Sequence, residues 1–492
     1  MRSKIARLSV ALAGLLLLSG CFASTGGGAG DRLGVALSFA PKAAMSIYSD
    51  DAQLLSRLGA TETLAVLDRD GTAKPGLAES WTQPRPDALR LTLRPGVTFH
   101  DGTPLTAESA AGALRRAARA TTPPRALDGV RLTAEAIDER TLEVSTGAPD
   151  PVLAQRLTSP NLAILAPSAY RDPSAPNPIG TGTGPYVLEE VRGQAGAALR
   201  ANHRYWGGAP KASGIDARFI SDGTARVNAL RAGEVDVIDT VPVSQLPSLD
   251  SQRVVELPLP RLVSAHLNTR SGTFADPAMR AAARAAIDPG ALASGVYSGH
   301  ADTARGLFGP ASTWAKNPAP QRGTPPAHPR GRPVRIATYD ERPELPEIAS
   351  VLAENLREAG FDVREVRAQE YSTIESELLG GAFDLVVGAR SNALDTGDPL
   401  GYLRTDFGCA GSYNLAQLCD PAVDAAIDRA EREEMPERQR AAVRISGRVL
   451  ASDAVVPLVH ERTRVGLAEG VSGVAEDVFE RRLITAETTA GA

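Results

Sequence analysis

The apolar positions of this chain recur in short blocks, and their period changes along its length. Leu8 to Leu18 is apolar except for Ser9 and Gly14. That run is shorter than the ~20 residues a membrane span needs. It follows Arg2, Lys4 and Arg7 and leads into Leu18-Ser19-Gly20-Cys21, so it reads as an export signal. Residues 22–30 are small and glycine-rich, the composition of a flexible tether. From 31 to about 175, short strands and helices mix. Leu89 to Leu93 alternates apolar and polar, as a strand does. Pro95-Gly96 and then His100-Asp101-Gly102-Thr103 turn the chain. Thr106 as N-cap, with Glu108 in the first turn, predicts a helix to Ala120.

Beyond Thr181 the blocks lengthen. Tyr186 to Val191 reads as a strand. Asp222 opens a helix through Ala232, with Gly233 at its left-handed C′ position, and Val235 to Ile238 follows as a buried strand. Asp276-Pro277 starts a helix to Ile287, and Asp288-Pro289 starts another. Residues 315–333 are proline-rich and read as a surface connection. A strand–helix alternation comes next: Val334–Thr338, Glu344–Ala359, Phe361–Val366, Glu370–Leu379, Phe383–Val387. In the first of these helices Ile348, Leu352 and Leu356 stack on one face, and Gly360 ends it. Such alternation predicts an α/β fold with a mostly parallel sheet and right-handed crossovers. Later helices start near Asp420-Pro421 and Pro436, and Val455–Val459 reads as the final strand. No internal repeat is visible.

Removal of residues 1–20 leaves about 470 residues, more than one core usually organises. It also removes three cationic side chains and no acidic one, leaving 50 Lys+Arg against 58 Asp+Glu, a net of −8. An acidic exported chain has no electrostatic reason to bind nucleic acid. With 48 Arg and 5 Lys, the cationic content reads as coding bias, and no Arg cluster along the sequence marks a binding patch. Besides Cys21, the chain has Cys409 and Cys419. An even pair in an oxidising compartment predicts a disulfide. A zinc site would need a second pair or a nearby His. The six histidines show no metal-ligand spacing, and Gly-x-Ser-x-Gly, His-Glu-x-x-His and Cys-x-x-Cys are all absent. We therefore expect no catalytic residues, no metal ligands and no cofactor.

Several motifs, in order, carry a resemblance. They are Lys74-Pro75-Gly76-Leu77-Ala78-Glu79-Ser80-Trp81, Leu93-Arg94-Pro95-Gly96-Val97-Thr98-Phe99-His100-Asp101-Gly102-Thr103, and Asn177-Pro178-Ile179-Gly180-Thr181-Gly182-Thr183-Gly184-Pro185-Tyr186. Asn202 to Pro210, Gly233-Glu234-Val235-Asp236 and Asp276 to Ile287 follow. Together they resemble the extracellular solute-binding proteins of ABC importers of the dipeptide, oligopeptide and nickel type. Leu18 to Cys21 likewise resembles a bacterial lipobox, which implies acylation of Cys21 after cleavage. The resemblance implies an α/β, periplasmic-binding-protein-like type II fold: two lobes closing about a hinge, with an extra small domain on the first lobe. The expected division is a signal peptide at 1–20, lipidated Cys and tether at 21–30, lobe 1 at 31–49, 176–264 and 461–492, the extra domain at 50–175, and lobe 2 at 265–460.

Most of these motifs build fold. Asp101-Gly102 is a tight turn. Gly180 to Gly184 precedes a strand and lacks the helix N-terminus that a phosphate cradle needs. Trp81 and Trp206 are expected to pack in the body. In the dipeptide-binding branch, an aspartate shortly before Gly-Asp-Pro captures the peptide's amino terminus. The matching residue here is Asp395, in Asn392-Ala393-Leu394-Asp395-Thr396-Gly397-Asp398-Pro399. Asn392 belongs to the same candidate set, and the Cys409–Cys419 loop matches that branch. Two features depart from it. Pro346 stands where an arginine would grip the peptide carboxylate, with Arg342 nearby as substitute, and Ala389 and Arg390 stand where a tryptophan is expected. Tyr371 stands where an aromatic residue is expected, either to stack on ligand or to pack in the core or rim. The implied partners are a peptide or other small solute, permease subunits with their ATPase, and the extracytoplasmic membrane face through lipid alone, for a monomer. Metal-chelate binding on the same fold, peptide sensing without transport, and hydrolysis remain alternatives.

Overall fold

The computed structural model describes residues 31–249, 252–270, 272–316, 323–393 and 396–491. Cys21 with its signal segment, and Asp395, lie outside the described residues. Among the described residues no helix is long and apolar enough to cross a membrane.

An eleven-stranded mixed sheet runs through both lobes. Its order is Asp362–Gln369, Pro333–Tyr339, Leu385–Ser391, Arg253–Leu267, Val455–Leu467, Val237–Ile238, Arg32–Leu37, Gly214–Phe219, Gly196–Ala201, Tyr186–Arg192. Ala301–Thr303 adds to Val455–Leu467. The two long central strands pair antiparallel along their length and slip register between Pro258 and Leu262. Proline has no N–H for the ladder, so Pro258 and Pro260 interrupt it where the chain passes from one lobe to the other. The sheet is therefore not mostly parallel as expected. Pro333–Tyr339 is parallel to both neighbours, as is Arg32–Leu37, while most other pairings are antiparallel. The alternation of the 334–387 region was real but local. The paired crossing strands and the Tyr186–Ala201 hairpin supply the rest.

The crossing strands are also where the hydropathy pattern misled. Arg253–Leu267 is absent from the expected strands, and its prolines argue against a central one. Val455–Leu467 runs past Val459 through His460-Glu461-Arg462-Thr463-Arg464, and all but Arg462 of these polar residues are buried. They sit between lobes and not at a strand end.

A four-stranded sheet, Ala78–Arg85, Ala88–Leu93, Thr141–Ser145 and Thr133–Ala136, lies within the region expected as an extra domain. It has no separate core. Leu89, Leu91, Phe99 and Leu114 belong to the same apolar cluster as Leu33, Leu37, Leu55 and Tyr186. Helix Ala107–Ala118 packs on this sheet and starts at a Thr106–Ser109 capping box. The other lobe is built on Ile336, Leu385 and Val387 covered by Ile348, Leu352 and Leu356 of helix Glu344–Glu358. Aspartate caps recur as read: Asp222 and Asp276 each accept from a backbone N–H of the first turn.

The motif glycines are explained by packing. A Cβ on Gly182 or Gly184 would collide with the carbonyls of Ala60 or Gly59. This stretch is a backbone-to-backbone seam behind helix Asp51–Arg57. Nε2 of His100 lies 2.9 Å from the Gly184 carbonyl oxygen, and Asp101 Oδ1 accepts from Thr103 N at 3.0 Å, with Gly102 at φ 90°. The turn reading holds. Trp81 is half-buried against the core, while Trp206 is 36 % exposed and donates Nε1–H to Glu62 under the Arg94 guanidinium. Cys409 and Cys419 form the expected disulfide.

Candidate functional site

A cleft of about 850 Å³ opens where the two long strands pass between lobes. The first lobe contributes Phe39, Lys42 and Arg57, the crossing strands contribute Leu259 to Arg261 and Glu461 to Arg464, and the second lobe contributes Glu341 to Glu344, Glu370, Ser391 and Ala393. Phe39, at 62 % exposure, stands at its edge. Arg342 follows the C-terminal end of strand Pro333–Tyr339, where α/β sheets place their ligands.

An ion network occupies the floor. Glu461 accepts from Arg342 Nη1 at 3.2 Å and from the Tyr297 hydroxyl at 3.2 Å, and Arg261 lies 3.7 Å away. Arg261 Nη2 donates to Glu480 at 3.1 Å. Glu480 has a left-handed backbone, φ 55°, and its carbonyl accepts from the Gln53 amide. Burial works against ionisation of Glu480, but Arg261, Arg57 and Arg342 outweigh it and hold its pKa below the usual carboxylate value. Burial likewise opposes the Arg342 charge, but Glu461, Tyr339, Glu480 and Tyr297 together outweigh it and raise its pKa. On the first-lobe side, Arg57 Nη1 donates to Asp239 at 2.8 Å, and Asp239 also accepts from Ser38 N at 2.7 Å. Burial raises the pKa of Glu344, with Glu461 adding to the effect.

The candidate residues separate. Arg342 lines the cleft. Tyr371 packs against Tyr339 and Tyr413, with ring centroids 5.4 and 6.4 Å apart, and its hydroxyl donates to Glu375 at 3.0 Å. It is not among the cleft-lining residues, whereas its neighbour Glu370 is. Asn392 is 4 % exposed and donates its amide to the Leu307 carbonyl at 3.2 Å, so it anchors the segment from behind and does not face the cleft. Its neighbours Ser391 and Ala393 do line the cleft, and Asp395 lies two residues beyond, outside the described residues. Asp398 caps helix Pro399–Phe407 and pairs with Arg438. Arg390, where a tryptophan was expected, stacks over Tyr413 at 4.1 Å and donates to Asp406 at 3.1 Å.

No Arg cluster along the sequence marks a binding patch, yet folding assembles arginines at the cleft. Arg57, Arg261, Arg342 and Arg464 are far apart in sequence, and folding brings them to one cleft. The one available signal was the polar run His460 to Arg464 inside an otherwise apolar strand.

The model of the bacterial extracellular solute-binding proteins, family 5, matches residues 72–414. The chain belongs to this family. It is therefore a solute-binding component of an ABC importer, and its fold is the two-lobed type II fold of that group. The nickel-binding protein NikA of Staphylococcus aureus is 26 % identical over 380 residues, 73 % of this chain and 74 % of that protein. A probable di/tripeptide-binding protein of Pseudomonas aeruginosa is 24 % identical over 465 residues, 84 % and 86 % of the two chains. Among solved structures, NikA from S. aureus with Ni(L-His)2 superposes with a TM-score of 0.76 at 22 % identity, covering 94 % of this chain and all of that one. A dipeptide-binding protein from Pseudoalteromonas in complex with Met-Leu gives 0.76 at 18 % identity, covering 93 % and 100 %. At such identities the superpositions speak for the family 5 fold alone.

Proposed function

We propose that this family 5 protein is a monomeric, lipid-anchored receptor that captures small peptides outside the membrane and hands them to a permease driven by its ATPase. The observation that carries this reading is the charge pattern of the cleft. Its floor presents arginines, and its second-lobe wall presents Glu341 and Glu370 beside the segment that leads to Asp395. A peptide is a zwitterion whose two ends need opposite partners. Asp395 meets the ammonium end through a charge-assisted bond contributing roughly 1.5–3 kcal/mol. Asn392 anchors that segment, and Tyr371 supports the strand beside it. A volume of about 850 Å³ suits a small-molecule ligand. Closure of the lobes then traps the solute and forms the shape the permease recognises. No chemical step is involved.

The nickel-binding relative supports a second reading, a metal carried as an amino-acid chelate. Among the described residues no group of three or more His, Cys, Asp or Glu could hold a metal ion, so the metal would arrive with its own ligands.

Calorimetric titration of ligand-stripped protein with di- to pentapeptides, and with Ni(II)–L-histidine, tests both readings. Micromolar binding corresponds to about −8 kcal/mol. Peptide binding that weakens tenfold or more in Asp395→Asn supports the first reading. Heat from the chelate alone replaces it with the second. Silence from every probe overturns both.

A further inference from the structure

Four arginines meet at the cleft floor or directly behind it: Arg57, Arg226, Arg261 and Arg342. Three carboxylates face them: Asp239, Glu461 and Glu480. Arg464 has its own partner in Glu344 at 3.7 Å, and Arg462 is matched by Asp302 and Glu256. Asp222 also acts on Arg226, so the question is which arginine is left with unmet donors.

The hydrogen bonds say which of these arginines is least satisfied. Arg226 donates to the carbonyls of Ile220, Ser221, Asp239 and Thr240, which settles its guanidinium in the wall. Arg464 is held in the same way by the Val241, His300 and Arg462 carbonyls. Arg57 has a side chain only 9 % exposed and makes a single hydrogen bond among the described residues, Nη1 to Asp239. Its Nε is buried without a partner. A buried donor with no partner is costly, and on a guanidinium that lines a cleft it calls for an explanation that an acceptor on the solute would supply.

We propose that Arg57 is the carboxylate-binding residue of this cleft. A ligand carboxylate docks on its free donors, with Arg261 and Arg342 close enough for all three to act on Glu480 together. The proposal rests on reading the cleft as the solute site. It moves acid recognition from helix Glu344–Glu358, where Pro346 stands, to the C-terminal turn of helix Asp51–Arg57 in the other lobe. It also limits the solute class to compounds with a free carboxylate, whether a peptide or an amino-acid chelate of a metal.

The test pairs each acid with its amide, which has the same size but no charge. A dipeptide library and the same library as C-terminal amides are titrated into wild type, Arg57→Gln and Arg57→Lys, together with Ni(II)–L-histidine and Ni(II)–L-histidinamide. We expect wild type to favour the acids tenfold or more, Arg57→Gln to lose that preference, and Arg57→Lys, which keeps charge but not the planar fork, to weaken acid binding at least threefold. Equal affinity for acid and amide in wild type overturns the proposal and leaves the solute-binding reading intact. An acid preference that survives in folded Arg57→Gln overturns it in favour of Arg342. If Arg57→Gln does not fold, unchanged acid binding by Arg57→Lys overturns it and weakened binding supports it. Failure of every probe on wild type removes both readings together.

Discussion

The helix that follows the proposed ammonium site in sequence starts at a buried ion pair, and breaking it should be felt far beyond the pair itself. Asp398 accepts from Arg438 Nη2 at 2.7 Å and Nε at 3.1 Å, with side chains 8 % and 4 % exposed. The same carboxylate accepts from Leu400 N at 3.1 Å and so caps helix Pro399–Phe407. Asp398→Ala leaves the Arg438 charge facing only carbonyls such as that of Glu431. Removing one member of a buried pair costs about 3–5 kcal/mol, and the lost cap adds about 1 kcal/mol. Asp398→Asn retains the cap and should cost about 3–4 kcal/mol. For a lobe of this size, the alanine loss corresponds to a fall of roughly 10–20 °C in the melting transition. Scanning calorimetry of both variants, and of each combined with Arg438→Met, measures it. With the arginine already gone, Asp398→Ala should cost at least about 2 kcal/mol less than in wild type. A loss under about 1 kcal/mol, or no coupling to Arg438→Met, would refute the reasoning.

Burial lowers the pKa of His100, His266 and His460 to about 4. Their neutral forms are favoured by folding, so their contribution is complete above pH ~6.5 and is lost as pH falls towards 4. At pH 5 each costs about 2 kcal/mol. Asp406, raised to about 6 by burial against the pull of Arg390, shifts the opposite way and returns about 1.4 kcal/mol. These four groups make the protein about 4–5 kcal/mol less stable at pH 5 than at pH 8, of which Glu62 and Glu344, raised by burial, return part; urea titrations at the two pH values measure the loss, and a protein more stable at pH 5 would contradict the assignment. Gly182→Ala must displace the Ala60 carbonyl and should lower stability by about 1–3 kcal/mol; an unchanged melting temperature would show that the seam yields. Cys21→Ser should abolish incorporation of labelled palmitate in cells. Equal labelling of variant and wild type would remove the lipid anchor from the proposed function.

Local rules were enough for much of this molecule. Asp222 and Asp276 are caps because a short carboxylate reaches free N–H groups at a helix start, a matter of a few neighbouring residues. The stripe Ile348, Leu352, Leu356 named its buried face correctly. The Cys409–Cys419 pair needed only composition and compartment. The motif order from Lys74 to Ile287 indicated the family, because each motif marks a turn or seam that the fold requires.

What the sequence could not supply was the site. Arg57, Arg261, Arg342 and Glu480 are separated by tens to hundreds of positions and obey no periodicity. They meet because two long strands cross between lobes and bring the C-terminal segment back against the first helix. The proline-bearing strand Arg253–Leu267 is hidden for the same reason: its ladder is interrupted where it changes lobe, so local propensity argues against it. Secondary structure and family were determined locally by side-chain period, capping and turn chemistry. Which charges share a cleft, and which of them lacks a partner, was decided by tertiary structure, because electrostatic pairing depends on distance in space and burial, not on distance along the chain.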